Sequence, residues 1–485
     1  MSKTEIEPHL FIIFGATSDL MRRKLAPSLL SLAARGLLKE KCLILGVART
    51  SDLDDISFRS QIREIFTGSA LKDKLDIEWC NSCVYYQSIG SGDAEDYRRL
   101  AARIAELEKK HVLQGNRIFY LALPPDAFPP IIKGLGEAGL NASHGWTRVV
   151  IEKPFGRDLA SAQELNQLAH NYFDESQIYR IDHYLGKETV QNLLAFRFAN
   201  TIFESLWNRD RIEQVEITVA EELGIGKRAG YYEQAGALRD MAQNHLTQLL
   251  TLIAMEAPAA FDAESIRGEK IKVLRSLVPI RPEDVVFGQY TRGQINGSEV
   301  RGYKDEASVS PLSTTETYAA IRVEIANWRW QGVPFYLRTG KCLAKKTSAI
   351  VVTFRYPPIS IFQPFQSCNI CPNRLVITLQ PDEGFDLYFE AKSPGEPFTI
   401  KTHNLHFRYD EVYGHLPDAY ETLLLDVMEG DQTLFIHADE TENAWRHYTP
   451  LLEKRPVVYP YAAGTWGPAE ANHLFKGSVK IWTTL

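Results

Sequence analysis

Long hydrophobic runs are missing from this chain. No stretch of its 485 residues approaches the ~18 consecutive apolar positions of a membrane-spanning helix, so no membrane partner is expected. Cysteine is scarce: six in so long a chain do not make a disulfide scaffold. Charge of one sign never gathers in a long block, and 54 basic against 61 acidic residues leave a net charge of -7. That balance implies no nucleic-acid partner, so any bound anion must be held by a local cluster. The opening "MSKTEIEPH" is polar and charged, and the apolar run after it is too short for the core of a secretion signal. A cytoplasmic protein with reduced thiols is the expectation. Internal repeats and low-complexity segments are absent too.

Two cysteine pairs have C-x-x-C spacing, Cys80/Cys83 and Cys368/Cys371. Together they could form a four-thiolate zinc site, and the second, beside Pro372 in a loop, could be redox-active. They lie far apart in sequence and fall in different expected domains. Chance spacing is the simpler reading, and no metal is called for.

What the chain does have is enough apolar residue, 45%, to bury a large core in two or three domains. Strand-like runs at 10–14, 42–48, 83–88, 117–123, 148–152 and 177–182 alternate with helical stretches at 19–35, 56–66, 94–110, 127–138 and 161–172. That alternation predicts a parallel sheet with crossover helices. After a helical stretch at 187–198 the strands show period-2 alternation, in "QVEITVA", "AAIRVEIAN", "SAIVVTFRY", "RLVITLQ" and "FDLYFEA", interrupted by helices at 236–255, 417–429 and 440–453. The expected fold is α/β plus α+β. An N-terminal doubly wound Rossmann-type domain over 1–180 precedes a domain over 181–485 built on a large antiparallel sheet, one face covered.

In such a sheet, ligands sit at the C-terminal strand ends. The first strand runs into "FGATSDL", a turn of the dinucleotide-binding kind in which only Gly15 of the fingerprint glycines stands in register. The second strand ends at Arg49, which suits a 2'-phosphate and tilts the cofactor toward NADP, unless it is a solvated loop residue. The fifth ends in Glu152, Lys153 and Pro154, a charged pair that is expensive at a buried strand end unless it meets a ligand or forms a structural ion pair. A cis bond before Pro154 would aim Lys153 into the crevice.

The densest chemistry is in "YRIDHYLGKETVQN", where a strand ends and a helix begins. His183, Tyr184 and Lys187 around Gly186 are what a phosphate dianion requires at a helix N-terminus. Asp182 does not fit an anion site and is better explained as the orienter of a base, if the cluster is not chance. In "GALRDMAQNHLTQLLTL" His245 lies on an apolar helical face, as either a core histidine or that base. Asp240 is five residues away, roughly 140° of α-helical rotation, so the orienting carboxylate is expected from Asp182.

The segments "GATSDLMRRKL", "IEKPFGRDL", "RIDHYLGKETVQN", "RAGYYEQAGALRDMAQNHL", "VPFYLRTGKCLAKK" and "PDAYETLLLDVMEGD" resemble, in the same order, the motifs of glucose-6-phosphate dehydrogenases. The likeness runs from the first strand to "GTWGPAEANHLF". It implies oxidation of glucose 6-phosphate at C1 to the 6-phosphogluconolactone with hydride transfer to NADP, the first step of the oxidative pentose phosphate pathway. By similarity His245 is the catalytic base and Asp182 its orienter. His183, Tyr184, Lys187, Lys341 and Lys346 correspond to the phosphate site, and Glu221 and Asp240 to ligands of sugar hydroxyls. Lys153 corresponds to a lysine between sugar and cofactor, with Lys24 near the same place. Gly15, Ala16, Thr17, Ser18, Asp19 and Leu20 form the cofactor turn, and Arg49 faces the 2'-phosphate. A homodimer or homotetramer assembled through the antiparallel sheet is also implied. The family turn is close to G-A-S-G-D-L-A, and here Ser18 and Met21 replace its second glycine and its small residue. If position 18 required positive φ, serine would cost about 1 kcal/mol or more. Two other readings stay open: another NAD(P)-dependent sugar or sugar-phosphate oxidoreductase, and a catalytically silent nucleotide sensor.

Overall fold

The computed structural model describes residues 6–38, 42–67, 77–359, 361–362, 370–414, 416–476 and 482–483. The chain divides into two compact units. Residues 1–186, 260–267 and 417–442 make the first; 187–259, 268–416 and 443–485 make the second.

The described residues of the first unit contain a seven-stranded sheet. Its strands are β1 (His9–Phe14), β2 (Cys42–Ala48), β3 (Val84–Ser88), β4 (Arg117–Leu121), β5 (Thr147–Ile151), β6 (Ile178–Ile181) and β17 (Phe435–Ile436). Their order is β17-β6-β5-β4-β1-β2-β3. The first six pair in parallel, which is the doubly wound order of a Rossmann-type domain. Strands covered by helices on both faces read as continuous apolar runs, and β1 and β2 are buried along their whole length. The six expected strands fall within a residue or two of those observed. Cys83 is a small exception, ending the helix Ile77–Cys83 rather than starting β3. The seventh strand, only two residues long, pairs antiparallel with β6 and gave no periodic signal.

Beside that edge, Glu175 accepts from Arg180 Nη1 at 2.7 Å and from the Ala438 N–H at 3.0 Å, with His170 Nε2 at 2.8 Å from its other oxygen. Burial raises the Glu175 carboxyl, but the Arg180 guanidinium outweighs it and the group is held down at about 2. A depressed carboxyl contributes stability above its unfolded value of 4.5 and loses it as pH falls toward 2. Urea midpoints are expected to fall across that window, and less steeply in Glu175→Gln. Equal slopes would show that the acid limb comes from other groups.

The second unit holds a nine-stranded sheet in the order β16-β15-β14-β13-β7-β12-β11-β8-β18. Its strands are β7 (Ile212–Ala220), β8 (Val285–Thr291), β11 (Tyr318–Glu324), β12 (Pro334–Gly340), β13 (Thr347–Phe354), β14 (Arg374–Gln380), β15 (Gly384–Lys392), β16 (Ile400–Arg408) and β18 (Val458–Ala462). A separate hairpin is formed by β9 (Gly293–Ile295) and β10 (Ser298–Val300). The expectation of an antiparallel sheet needs one correction: β7/β12 and β8/β18 are parallel pairs. Only a long connection can make a parallel neighbour, and local alternation carries no sign of it. β14 alternates buried with half-buried residues, as expected where one face lacks cover, and the edge strand β16 is exposed on both faces over most of its length. No described helix is long and apolar enough to cross a membrane.

Candidate active site

At the end of β1 in the first unit, the N–H groups of Gly15 and Ala16 both donate to the Val47 carbonyl, at 2.8 and 3.1 Å. Gly15 has φ +90°, and a Cβ there would lie 2.3 Å from the Ala122 carbonyl oxygen. Glycine is therefore required at this position by the ends of β2 and β4. Ser18 is not in the left-handed region, so the penalty considered for it does not arise. Its carbonyl accepts the Arg22 N–H at 3.2 Å and its Oγ accepts the Met21 N–H at 3.1 Å. Ser18 thus caps the helix that opens at Asp19, an interaction of about 1 kcal/mol. Met21 is buried at the first residue of a π-helical turn, Met21–Leu25, that runs into the α-helix Ala26–Ala34. Ala16 is buried, Thr17 and Leu20 are half-buried and Asp19 is exposed.

Arg49 stands exposed immediately after β2. Lys24, also exposed, is 2.7 Å from Asp418 Oδ2, with its ammonium 5.9 Å from the centre of the Tyr420 ring. Lys153 is half-buried, and its bond to Pro154 is cis. Glu152 is buried and accepts from the Tyr120 hydroxyl at 2.6 Å and the Tyr420 hydroxyl at 3.2 Å. Burial pushes its carboxyl up. These two phenols anchor Glu152, and nothing in its local sequence announced them.

Beyond β6, Asp182 is buried, and its Oδ1 accepts the Tyr184 N–H at 2.9 Å while its carbonyl takes the Leu185 N–H at 3.0 Å. A tight turn results. It leaves His183 half-buried, its ring 4.9 Å from Tyr184 edge-on and 6.5 Å from Tyr420 nearly parallel.

In the second unit Lys187 immediately precedes the helix Glu188–Phe198, whose first turn has no side-chain cap. Its Nζ donates to Gln380 Oε1 at 2.6 Å, and Gln380 in turn donates to Ser348 Oγ at 2.9 Å. Because β7 and β12 are parallel, the residues that follow them emerge side by side. Glu221 and Lys341 are those residues. The Glu221 N–H donates to the Gly340 carbonyl at 3.0 Å, the Leu343 N–H to the Glu221 carbonyl at 2.9 Å, and Lys341 Nζ to the Glu221 carboxylate. The Tyr232 ring lies 5.6 Å from Lys341 Nζ, and its phenol is raised by burial and by the charges of Asp240 and Glu221. Lys346 is exposed at the start of β13.

Asp240 and His245 sit on Leu238–Leu246, which packs on β7, β11 and β12 and is π-helical rather than α-helical. The Thr247 N–H donates to the Ala242 carbonyl, the i→i+5 pattern. Residues five apart then share one side of the helix. The α-helical rotation expected between Asp240 and His245 therefore does not apply to this segment. Both are buried, and Tyr231 donates to Asp240 Oδ1 at 3.2 Å. The adjacent tyrosines of "GYYEQ" were the available signal for Tyr231 and Tyr232.

The cysteines stand apart from this chemistry. Cys80 and Cys83 are buried, and burial pushes the Cys80 thiol up to about 11. Cys371 is exposed, while Cys368 lies outside the described residues.

Family models match both parts of the chain: the glucose-6-phosphate dehydrogenase NAD binding domain over residues 12–192 and the glucose-6-phosphate dehydrogenase C-terminal domain over residues 194–483. A glucose-6-phosphate 1-dehydrogenase of Aggregatibacter actinomycetemcomitans is 46% identical over 481 residues, covering 97% of this chain and 96% of its own. One from Treponema pallidum (strain Nichols) is 45% identical over 493 residues, covering 98% and 95%. A solved structure of a glucose-6-phosphate dehydrogenase in complex with its substrate glucose-6-phosphate is similar over 100% of both chains, with a TM-score of 0.90 and 36% identity. The glucose-6-phosphate 1-dehydrogenase from Mycobacterium avium gives 0.84 and 35%, over 98% of this chain and 99% of that one. The chain belongs to the glucose-6-phosphate dehydrogenase family.

Proposed function

We infer that the chain oxidises glucose 6-phosphate at C1 to 6-phospho-glucono-1,5-lactone, with NADP as hydride acceptor. The observation that carries this reading is the end of the second sheet, where Lys341, Glu221 and Asp240 surround Tyr232 and the same helix carries the buried His245. A cation, two carboxylates and an imidazole are what a phosphorylated polyol with one acidic hydroxyl asks for.

His245 takes the proton of the C1 hydroxyl, and Asp182 positions the imidazole and balances its charge as it becomes cationic. Glu221 and Asp240 accept from sugar hydroxyls. His183, Tyr184, Lys187, Lys341 and Lys346 hold the phosphate; the uncapped first turn after Lys187 offers backbone N–H groups for the same purpose. Lys153, on the half-buried strand end after β5, lies between sugar and cofactor, with Lys24 nearby. Holding C1 in one orientation is the larger part of what the protein contributes.

The residues after β1 fit a dinucleotide: a glycine with no room for Cβ, then a capped helix N-terminus, then exposed Arg49 at the neighbouring strand end. Gly15 to Leu20 would hold the pyrophosphate and Arg49 the 2'-phosphate. When bound, NADP supplies the hydride acceptor. In this reading residues 1–180 bind NADP, and 181–485 bind substrate and form a homodimer or homotetramer through the large sheet, in the cytoplasm. Mixing the protein with glucose 6-phosphate is expected to produce reduced-nicotinamide absorbance with NADP, and more slowly with NAD. No signal with either cofactor would overturn the reading.

A further inference from the structure

The helix that carries Asp240 and His245 begins at an abrupt bend, and a residue not used in the chemistry above braces it. Gly236 has φ +61° and ψ 179°, a backbone state essentially confined to glycine. A Cβ built there would lie 2.1 Å from Glu316 Oε1. The Leu238 N–H donates to that same oxygen at 3.2 Å, and the Ala237 N–H donates to the Glu316 carbonyl at 2.8 Å. Glu316 therefore takes two successive N–H groups at a helix start, where intrahelical acceptors are lacking. It is 1% exposed, with Arg455 Nη2 3.8 Å from its second oxygen, and burial pushes its carboxyl above the usual range. Keeping a carboxyl in such a place is costly unless its acceptor atoms are needed. The next residue, Thr317, accepts the Lys341 N–H on its carbonyl at 2.9 Å. Two consecutive residues ahead of β11 thus tie the start of the helix to the turn that bears Lys341.

We propose that Glu316 is a positioning residue for the oxidation, fixing the entry of the Leu238–Leu246 helix and so the direction in which Asp240 and His245 face the sugar. The proposal rests on the assignment of His245 as base and Asp240 as hydroxyl ligand. Misplacing reacting groups by 1 Å costs on the order of 10² in rate, so a small rotation of this helix is enough to matter.

The test is steady-state kinetics of the full-length enzyme with both substrates varied. Glu316→Leu is expected to lower kcat by about tenfold or more and raise KM for glucose 6-phosphate severalfold, while KM for NADP stays within about twofold. Glu316→Gln keeps an oxygen for the Leu238 N–H and is expected to restore kcat and the sugar KM to within about threefold of the parent. Parent-like constants in Glu316→Leu would overturn the proposal. So would a fall in kcat with both KM values unchanged, which signals only loss of folded enzyme. A Gln variant as impaired as the Leu variant would also overturn it, because the hydrogen bond is then not the cause. Should Glu316→Leu not be recovered folded, Gly236→Ala drives a methyl into the same carboxylate and must show the same split between constants; parent-like values there would again overturn the proposal. His245→Asn is assayed alongside. Full activity in that variant would remove the underlying base assignment, whereas an inactive His245→Asn beside an unaffected Glu316→Leu removes the role of Glu316 alone.

Discussion

Replacing His245 with asparagine is expected to lower kcat by at least about 10² while leaving KM for glucose 6-phosphate nearly unchanged, because a general base acts in the transition state and contributes little to ground-state binding. Asparagine is the right replacement here. The position is fully buried on a helix packed against β7, β11 and β12, and an alanine would add a cavity to the loss of the base. Initial rates of NADPH formation at saturating substrate decide the matter. A variant with unchanged kcat would return His245 to the status of a core histidine. Asp240→Asn is the matched comparison, since both residues are buried on the same helix. If Asp240 holds a sugar hydroxyl, its loss moves KM more than the loss of His245 does.

Lys187→Ala is expected to act on the other constant. A hydrogen bond to a charged group contributes about 1.5 to 3 kcal/mol. At about 1.4 kcal/mol per tenfold, KM for glucose 6-phosphate should rise by about 10 to 10², with kcat little changed. In the structure Lys187 Nζ donates to Gln380 at 2.6 Å, so a phosphate meets a side chain that is already held rather than a loose one. Free glucose separates the possibilities, since its turnover should be indifferent to Lys187. Equal loss with glucose and with glucose 6-phosphate would mean that the lysine supports the helix and not the phosphate.

Most of the fold could be read from the sequence because its parallel strands are long, apolar and separated by amphipathic helices. β1, β2 and β4 stand almost where their apolar runs place them. β17 and the parallel pairing of β7 with β12 could not be read, since both depend on partners distant in sequence. On the site side, residue types and strand ends drew attention to the right segments, but two local conformations escaped. Ser18 departs from the family glycine, and the sequence carries no sign that it serves as a helix cap through an oxygen glycine lacks. The rotation between Asp240 and His245 is not the α-helical one, because this segment bonds i→i+5. Periodicity of apolar side chains fixes which face of a helix is buried. It does not distinguish i→i+4 from i→i+5 bonding over so short a segment. Glu316 was missed for a simpler reason: its role lies in backbone donors contributed by residues far away in sequence.

Antiparallel neighbours place the end of one strand beside the start of the next, so the residues that follow them lie at opposite edges of a sheet. β7 and β12 run together, and the chain must return the full length of a strand before the second can begin. Everything from residue 221 to 333 is that return. Threaded through it are the helix with Asp240 and His245, the strands β8 and β11, and the small β9/β10 hairpin. An obligatory detour thus carries the proposed base and hydroxyl ligand; it leaves β7 at Glu221, and Lys341, after β12, emerges beside that point. Within the detour, tolerance to change is uneven. The exposed turn of the hairpin at Asn296 and Gly297 is where added or lost residues are best absorbed. The run from Asp240 to His245 cannot, because an insertion there would turn one of these two buried side chains relative to the other.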